Sequence, residues 1–490
     1  MSSSKKNISF FLAVPLLLLC YTCTKQKGKI NYGEFPEEIG SIMANKCATS
    51  GCHNAKSSAI AGNYNLDSWE SMFKGSNSGS PLIPFNSNFS SLCFYINTYQ
   101  ELGLQNTPTM PLNGKALSFN EVKIIKDWID AGAPNLNGEI KWQSGARKKL
   151  YAVNQGCDVV TVFDAESQLP IRVIPVGTKS GPDTPHNIRV SGDGKYFYVL
   201  FINNNILQKF STIDNSLIAN IPLSPLAAGT GTADAFDWNT IVLTKDNKKA
   251  YCVSWQAAGK VACVDLVNHK LIHFVGGMYN PHGIALSNNE QSIYITAQFG
   301  NCLFQFDTAF TVSNKYSLDG LPPNEFSNTI NSHELVIGKN PDELIITCQK
   351  SNDIRVFNTI TNTVTTIIPS AADPTEIIYS SQHNCYYITH TEDTLSFSNS
   401  RGSVTKLNAT DYSMVKLKCG YQPHGMAIDK TSNLLYVLSR NRNTQGPAPH
   451  HTSNCIGRNG FVSFINLQTF SILNKTYELS VDPYTIYAQP

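Results

Sequence analysis

A repeated pattern between residues 148 and 490 constrains the fold most strongly. Each copy is an apolar strand, a polar turn and a second strand, as in "PHNIRVSGDGKYFYV" from Pro185, and a third strand ending near Asp or Asn follows it. The second residue of each copy marks a common register: His186, Asn239, His282, His333, Thr375 and His424, separated by 53, 43, 51, 42 and 49 residues. Repeats of this length and strand content are typical of four-stranded propeller blades.

The two ends of this region predict a seventh blade. "DPYTIYAQP" at the C-terminus supplies a first strand with Tyr484 in register, whereas "KKLYAVNQGCDVVTVFDAES" supplies a second and a third strand without a first. A blade built from both ends closes the ring and leaves no open sheet edge. The repeats resemble the YVTN family of bacterial β-propellers over residues 148–490. This resemblance implies an all-β, seven-bladed propeller but no particular activity.

The first residues have the pattern of an export signal. "MSSSKK" is a short basic region, and "ISFFLAVPLLLLC" is an apolar stretch too short for a comfortable membrane span. Cys20 and Cys23 lie where a bacterial lipoprotein signal ends, and the segment resembles such a signal. We expect a signal peptide at residues 1–23, lipidation of Cys23 (or Cys20), and a polar linker at 24–33; a cleaved signal without lipid is the alternative. The resemblance implies a periplasmic or envelope protein with a lipid anchor in a membrane.

The stretch "NKCATSGCHNA", residues 45–55, places His53 directly after the second of two cysteines, Cys47 and Cys52. A structural zinc site needs four ligands, and no second Cys or His pair lies between residues 54 and 140. A disulfide would use the cysteines but gives no reason for the histidine. Covalent haem uses all three, because the thiols attach the ring and the next imidazole reaches the axial position of the iron. Haem c is favoured; a disulfide and another metal stay open.

A second axial ligand is expected on a downstream loop. Met110 in "TPTMPLNGKALS" is the obvious candidate, since Pro108 and Pro111 stiffen the loop around its sulfur. The helix predicted in "SFNEVKIIKDWIDAGAPN" begins after Ser118, with Glu121 completing a capping box. Its predicted buried face carries four apolar residues, Val122, Ile125, Trp128 and Ile129.

These motifs together resemble the c-type cytochrome domains attached to larger modules in Planctomycetes and Bacteroidetes. The resemblance covers residues 34–140, with "CATSGCHN", "TMPLNGKALS" and "WIDAGAPN" in that order. It implies a small all-α cytochrome c domain with one covalent haem c, attached through Cys47 and Cys52. It also implies that His53 and Met110 are the axial ligands of the iron. The spacing here is C-x4-C-H, whereas the usual motif is C-x2-C-H.

Histidines concentrate on one predicted face of the propeller. Seven fall there: His186, His282, His333 and His424 at the start of first strands, His390 at the end of a second strand, and His450 and His451 in the insertion "RNTQGPAPHHTSNCIGRNG". One interpretation is structural histidines inherited with the repeat. The other is a functional cluster that binds a metal, an anion or a second cofactor. Adjacent blades, as at His282 and His333, offer a plausible pair of ligands.

Cysteine pairing has one local candidate in the propeller. Cys252 and Cys263 lie in "YCVSWQAAGKVAC", which reads as a hairpin. They are either a cross-strand disulfide, which an exported chain permits, or buried free thiols.

The main functional hypothesis is an exported electron-transfer protein, in which a mono-haem cytochrome domain is joined to a propeller that provides docking or substrate binding. One alternative is an oxidoreductase whose own metal or cofactor lies at the propeller histidines. Another is a redox-sensing binding or scaffold protein. An electron carrier is favoured over a stand-alone enzyme, and no catalytic residue is assigned. The expected partner is a periplasmic or membrane redox protein. No nucleic-acid partner is expected, because a formal charge of +2 with 15% charged residues does not suggest the basic face that phosphate binding needs.

Overall fold

The computed structural model describes residue 1 and residues 31–143, 145–178, 181–225, 237–441 and 459–490. The predicted signal peptide with Cys20 and Cys23, and the insertion with His450 and His451, lie outside these residues. Within the described ranges, no helix combines the length and the apolar character that crossing a membrane requires.

Short helices and loops form the N-terminal segment, residues 31–143. Its α-helices, over the described residues, are α1 (Glu37–Ile42), α2 (Trp69–Met72), α3 (Ser91–Ile96) and α4 (Phe119–Asp130). A π-helical turn spans Met43–Cys47, and 3-10 turns span Ser58–Ile60, Ser87–Phe89, Gln100–Leu102 and, in the propeller, Gln155–Cys157. The segment is therefore helical and rich in loops, and its assignment as a cytochrome c domain stays a prediction.

Helix α4 has the start and the buried face that its sequence predicts. The Ser118 hydroxyl accepts from the Glu121 N–H at 3.3 Å, and the Glu121 carboxylate accepts from the Ser118 N–H at 2.7 Å, which completes the capping box. All four predicted apolar positions are buried in the core of the segment: Val122, Ile125, Trp128 and Ile129. The chain reverses after the helix at Gly132, whose φ is +100°.

Over the described residues, the strands form seven four-stranded antiparallel sheets, the blades of a propeller. Blade 1 contains β1 (Lys149–Asn154), β2 (Val159–Asp164), β3 (Pro170–Pro175) and the last strand, β28 (Pro483–Ala488). Blade 2 contains β4 (Pro185–Val190), β5 (Tyr196–Phe201), β6 (Ile206–Ser211) and β7 (Leu217–Pro222). Blade 3 contains β8 (Trp238–Leu243), β9 (Lys249–Ser254), β10 (Gly259–Asp265) and β11 (Lys270–Met278).

The remaining blades repeat the same order from the channel outward. Blade 4 contains β12 (Pro281–Leu286), β13 (Ser292–Ala297), β14 (Cys302–Asp307) and β15 (Ser313–Ser317). Blade 5 contains β16 (Ser332–Ile337), β17 (Glu343–Cys348), β18 (Asp353–Asn358) and β19 (Thr363–Pro369). Blade 6 contains β20 (Pro374–Ser380), β21 (Cys385–His390), β22 (Ser403–Asn408) and β23 (Met414–Lys418). Blade 7 contains β24 (Tyr421–Asp429), β25 (Leu434–Asn441), β26 (Asn459–Asn466) and β27 (Ser471–Val481).

Blade 1 closes the ring, as the sequence predicts. The C-terminal β28 is its inner strand and pairs antiparallel with β1, so that Ile486 lies opposite Ala152 and Tyr487 opposite Tyr151. The seven inner strands contact one another in the cyclic order β28, β4, β8, β12, β16, β20 and β24. The seven-bladed propeller is therefore confirmed, with the closure predicted from the two ends.

Threonines in the second strands join neighbouring blades beside the channel. Thr296 accepts from the Gly283 N–H of its own blade and donates to the His333 carbonyl of the next, both at 2.8 Å. Thr389 repeats the arrangement two blades further, between the Glu376 N–H and the His424 carbonyl. The inner strands approach so closely here that a Cβ on Gly283 would lie 2.5 Å from the His333 oxygen. These hydrogen bonds fix the inner strands at the end that carries the register residues.

The N-terminal segment packs against the outer strands of blades 1 and 7. Arg172 of β3 donates to the Lys141 carbonyl at 2.9 Å and lies 5.2 Å from the ring centre of Phe85. Trp142 contacts the apolar clusters of both the segment and the propeller. A Cβ on Gly79 would lie 2.9 Å from the ring of Tyr477 in β27. The two parts of the chain are therefore in direct contact, and burial at this contact lowers the pKa of Arg172 to about 10.

The hairpin cysteines of blade 3 are free thiols. In the register of β9 and β10, Cys252 lies opposite Ala262, and Cys263 lies opposite Tyr251. The two side chains consequently point to opposite faces of the sheet and enter different apolar clusters. Of the two readings of this hairpin, buried free thiols is the one observed. Cys157, by contrast, is disulfide-bonded.

Candidate functional site

The Cys–His motif forms a compact loop at the end of the Met43–Cys47 turn. The His53 N–H donates to the Cys47 carbonyl at 3.1 Å, and the Cys52 N–H donates to the Thr49 carbonyl at 3.0 Å. The Asn54 side chain also donates to the Thr49 carbonyl, at 2.5 Å. Backbone hydrogen bonds thus hold both cysteines and the histidine on one short turn.

The imidazole of His53 is oriented by the carbonyl of Tyr64. Its Nδ1 lies 3.2 Å from that oxygen, and the two rings meet edge to face at 5.7 Å. A neutral imidazole that donates from Nδ1 keeps its lone pair on Nε2. Histidine ligands of metals commonly have this arrangement, in which a backbone carbonyl fixes the tautomer and the orientation of the ring.

The two thiols of the motif differ in exposure. Cys47 is buried in the core of the N-terminal segment, and Cys52 is half-buried. Burial, reinforced by the neighbouring Cys52 thiol, raises the pKa of Cys47 to about 12. Both cysteines are free, so the disulfide alternative is not formed in this structure.

Met110 is half-buried on the loop between α3 and α4. Its N–H donates to the Tyr95 carbonyl at 2.7 Å, and its side chain packs against the apolar cluster that contains Cys47. The Met110 loop and the Cys–His motif therefore pack against the same core. More than fifty residues separate them in the chain.

The register histidines line one end of the propeller channel. His186, His282, His333 and His424 are buried at the start of inner strands, and His390 pairs with Pro374 at the same end of blade 6. The rings of His282 and His333 lie 3.9 Å apart, and those of His333 and His424 lie 6.2 Å apart. Tyr484, the register residue of blade 1, stacks between His424 at 3.8 Å and His186 at 4.2 Å.

Two of these histidines meet a carboxylate. Ligand atoms of His282, His333 and Glu334 all lie within 4.8 Å of one another, which is the one group of three such side chains found among the described residues. The residues are 5%, 0% and 7% exposed. Nδ1 of His282 is 3.2 Å from Oε1 of Glu334. His282 and His333, from adjacent blades, therefore lie side by side, and their role as a pair of ligands stays a prediction.

Glu334 was missed by sequence reasoning. In a regular strand, successive side chains point to opposite faces, so that a residue next to His333 would point away from it. The pairing of β16 with β17 is irregular between Ser332 and Leu335, and this interval contains both residues. Irregularities of this kind re-aim side chains next to functional sites. The available signal was the sequence "SHELV", which repeats as "PTEII" one blade later with Glu376.

The next blade carries a second carboxylate beside the first. Oε1 of Glu376 lies 3.7 Å from Nδ1 of His424. Burial, together with the nearby Glu334 carboxylate, raises the pKa of Glu376 well above its usual value, whereas Arg189 opposes the shift. Around these two carboxylates, the described channel end brings together the rings of His282, His333 and His424 and the opposing charge of Arg189.

Two further histidines at this end, His186 and His390, form hydrogen bonds with residues of the propeller itself. Nδ1 of His186 lies 2.9 Å from Oε1 of Gln155. The Gln155 amide group in turn donates to the Asp482 carboxylate, which also forms an ion pair with the Arg440 guanidinium. Nε2 of His390 lies 2.8 Å from the Thr405 hydroxyl. The structural interpretation therefore suits these two histidines, and the interpretation as a cluster suits His282 and His333.

No family model matches the chain, and no curated protein matches it. Solved structures match in fold. A protein from Bacteroides uniformis, provisionally named a 6-phosphogluconolactonase, is 12% identical, with a TM-score of 0.51, over 70% of this chain and 99% of its own.

Two further matches are a functionally unknown protein from Desulfotomaculum acetoxidans and the hydrazine synthase of Kuenenia stuttgartiensis. The first is 14% identical over 68% of this chain and 99% of its own, with a TM-score of 0.47. The second is 13% identical over 63% of this chain and 89% of its own, with a TM-score of 0.46. The match to the Bacteroides uniformis protein, with its TM-score of 0.51, supports the fold of the chain and nothing further.

Proposed function

We propose that this protein is an exported electron-transfer protein. Its N-terminal segment carries one covalently attached haem c, and its propeller provides a surface for docking a redox partner or binding a substrate. The observation that carries the proposal is the orientation of His53: its Nδ1 is directed to the Tyr64 carbonyl, and its Nε2 is thereby kept as the ligand atom beside two free cysteines.

The residues present fit a covalent haem in three respects. Cys47 and Cys52 are thiols, the form that adds to a vinyl group. His53 follows them on the same hydrogen-bonded turn, and Met110 supplies a thioether on a loop that packs against the same core. Large apolar side chains are also exposed beside these ligands in the chain: Ile60, Leu104 and Leu112. A flat apolar macrocycle held between the two loops would cover such side chains.

When bound, haem c supplies a one-electron couple between ferric and ferrous iron, and a thioether ligand raises its potential. The chain's own contribution is to hold this couple in place. Cys47 and Cys52 would anchor the ring, Tyr64 would keep the His53 imidazole in one orientation, and Pro108 and Pro111 would restrict the Met110 loop.

Export and membrane anchoring belong to the same proposal. The basic and apolar leader with Cys20 and Cys23 supports them, and so does the disulfide of Cys157. Disulfides persist in oxidising compartments such as the bacterial periplasm.

The proposal is tested on full-length protein made in cells with a haem c maturation system. The pyridine haemochrome spectrum is expected to give about one covalent haem per chain, and the Cys47→Ala/Cys52→Ala variant is expected to give none, because both attachment points are lost. Cys93→Ala is the matched control, since Cys93 is a buried free thiol in the same core. A wild-type protein without covalent haem, or a double variant that retains it, would contradict the proposal.

A further inference from the structure

The channel cluster of His282, His333 and Glu334 has the geometry of a metal site. Two atoms bound to one tetrahedral ion at about 2.1 Å lie roughly 3.4 Å apart. Nδ1 of His282 and Oε1 of Glu334 are 3.2 Å apart, and a ligand atom of His333 lies within 4.8 Å of both. The three atoms are therefore close enough to share one ion after small side-chain rotations.

The nitrogen of His282 that faces this cluster lacks a hydrogen bond. Among the described residues, no group forms a hydrogen bond with Nδ1 of this buried ring. The Glu334 carboxylate is close enough, at 3.2 Å, but its direction does not suit a hydrogen bond. Leaving a buried polar atom without a hydrogen bond is energetically unfavourable. Such an atom in a native structure calls for a partner that the protein alone does not supply, and an ion between the nitrogen and the carboxylate would be one.

Neighbouring groups hold the other two ligands. Nδ1 of His333 lies 3.2 Å from the Thr375 carbonyl, so this ring keeps its lone pair on Nε2. The Thr240 hydroxyl donates to Glu334 at 3.4 Å, and the Glu334 backbone N–H donates to Thr347. Outer contacts of this kind orient the ligands of metal sites. Here they come from three blades of a closed ring, which is a rigid support.

We propose that His282, His333 and Glu334 bind a divalent first-row transition-metal ion inside the propeller channel. Imidazole ligands suit zinc, copper, iron and nickel, whereas calcium and magnesium prefer sites built from oxygen alone. Three protein ligands leave a further position for water or a small substrate, as in catalytic rather than structural zinc sites. This inference goes beyond electron transfer by the N-terminal segment and does not depend on it.

The test uses Zn²⁺ as the probe, because haem contains no zinc. Full-length protein is dialysed against a chelator, and Zn²⁺ binding is then measured by titration calorimetry and by elemental analysis. We expect about one tightly bound Zn²⁺ per chain. Glu334→Gln and His282→Gln should each weaken binding by about tenfold or more, since each removes a ligand. His186→Gln, at the same register but bonded to Gln155, should leave the affinity unchanged.

Two results would overturn the proposal: wild-type protein that binds no Zn²⁺, or Zn²⁺ that binds equally well to the variants of His282 and Glu334. If a variant fails to fold, a crystal of the wild-type protein soaked in Zn²⁺ decides the matter. An anomalous-difference peak between the three side chains supports the site, and a peak only elsewhere rejects it. In protein without haem, Cys47, Cys52 and His53 could also bind Zn²⁺. That binding would persist in the variants of His282 and Glu334, so the loss of Zn²⁺ in these variants tests the channel site alone and the two proposals fail separately.

Discussion

At the scale of single residues, burial determines the charge of His390. The side chain is fully buried at the channel end of β21, with Nε2 beside the Thr405 hydroxyl. Burial lowers the pKa of His390 to about 4, and the charge of Lys416 lowers it further. The Asp393 carboxylate and the backbone groups of residues 371 and 372 oppose this shift. His390 is consequently neutral at pH 7.

This shift predicts that the protein loses stability in mild acid. Because the pKa of His390 is lower in the folded than in the unfolded chain, protonation favours unfolding. The contribution is complete above pH 6.5 and is lost as the pH falls from about 6.5 to 4, in total about 3 kcal/mol. Denaturant unfolding at pH 7.5 and pH 4.5 measures it. His390→Gln should reduce the loss between the two pH values, whereas His273→Gln, at an exposed site on β11, should not. Equal losses in wild type and His390→Gln would refute the assignment.

At the scale of secondary-structure elements, the threonine bridges between blades are the feature to test. Thr389 accepts from the Glu376 N–H at 3.2 Å and donates to the His424 carbonyl at 3.0 Å. Both backbone groups belong to inner strands at the channel, where alternative partners are few. Removal of the hydroxyl leaves a buried donor and a buried acceptor unpaired.

We expect Thr389→Val, which keeps the side-chain shape, to lower the free energy of unfolding by about 1–3 kcal/mol. Thr366→Val on the outer strand β19 is the control, since this half-buried position lies far from the channel in the order of strands, and its effect should stay within about 0.5 kcal/mol. Urea unfolding followed by tryptophan fluorescence provides the comparison. Two equal effects would show that the bridge contributes nothing.

The elements also show why some features could be predicted and others could not. The start of α4 follows from local chemistry, because Ser118 and Glu121 satisfy each other's backbone groups three residues apart. The blades follow from a period of strands and turns. The positions of Glu334 and of the two hairpin cysteines depend instead on strand register. The irregular start of β16 turns Glu334 toward a histidine. In the hairpin, Cys252 and Cys263 are one residue out of register, so they do not face each other. A period of apolar residues does not specify such shifts.

At the scale of the whole molecule, the contact between the N-terminal segment and the propeller is not predictable from the chain. The linker near residues 135–150 is short and keeps the two parts close, but it does not decide which surfaces meet. The contact is made by the Arg172 guanidinium on Phe85 and by glycines that allow close approach to Leu169 and Tyr477. Such complementarity between distant parts of a sequence leaves no periodic signal.

Closure of the ring by β28 predicts a strong contribution of that strand to stability. Ile486 is buried between the inner strands and pairs with Ala152. Ile486→Ala should lower the free energy of unfolding by about 2–4 kcal/mol, through lost burial and a cavity. Tyr487→Ala, on the same strand but partly exposed over Arg189, should cost about 1 kcal/mol or less. Thermal unfolding gives both values, and a reversed order would be evidence against closure in solution.

The order of the blade strands in the chain also has a consequence for biosynthesis. The edge of β1 receives its partner β28 only after more than three hundred further residues have been made. At translation rates of about 5–20 residues per second, this takes roughly 20–60 s. During that interval blade 1 lacks its inner strand and has an open edge. The ring therefore cannot close before β28 has left the ribosome. Closure of the ring is therefore a step that follows synthesis of the whole repeat region.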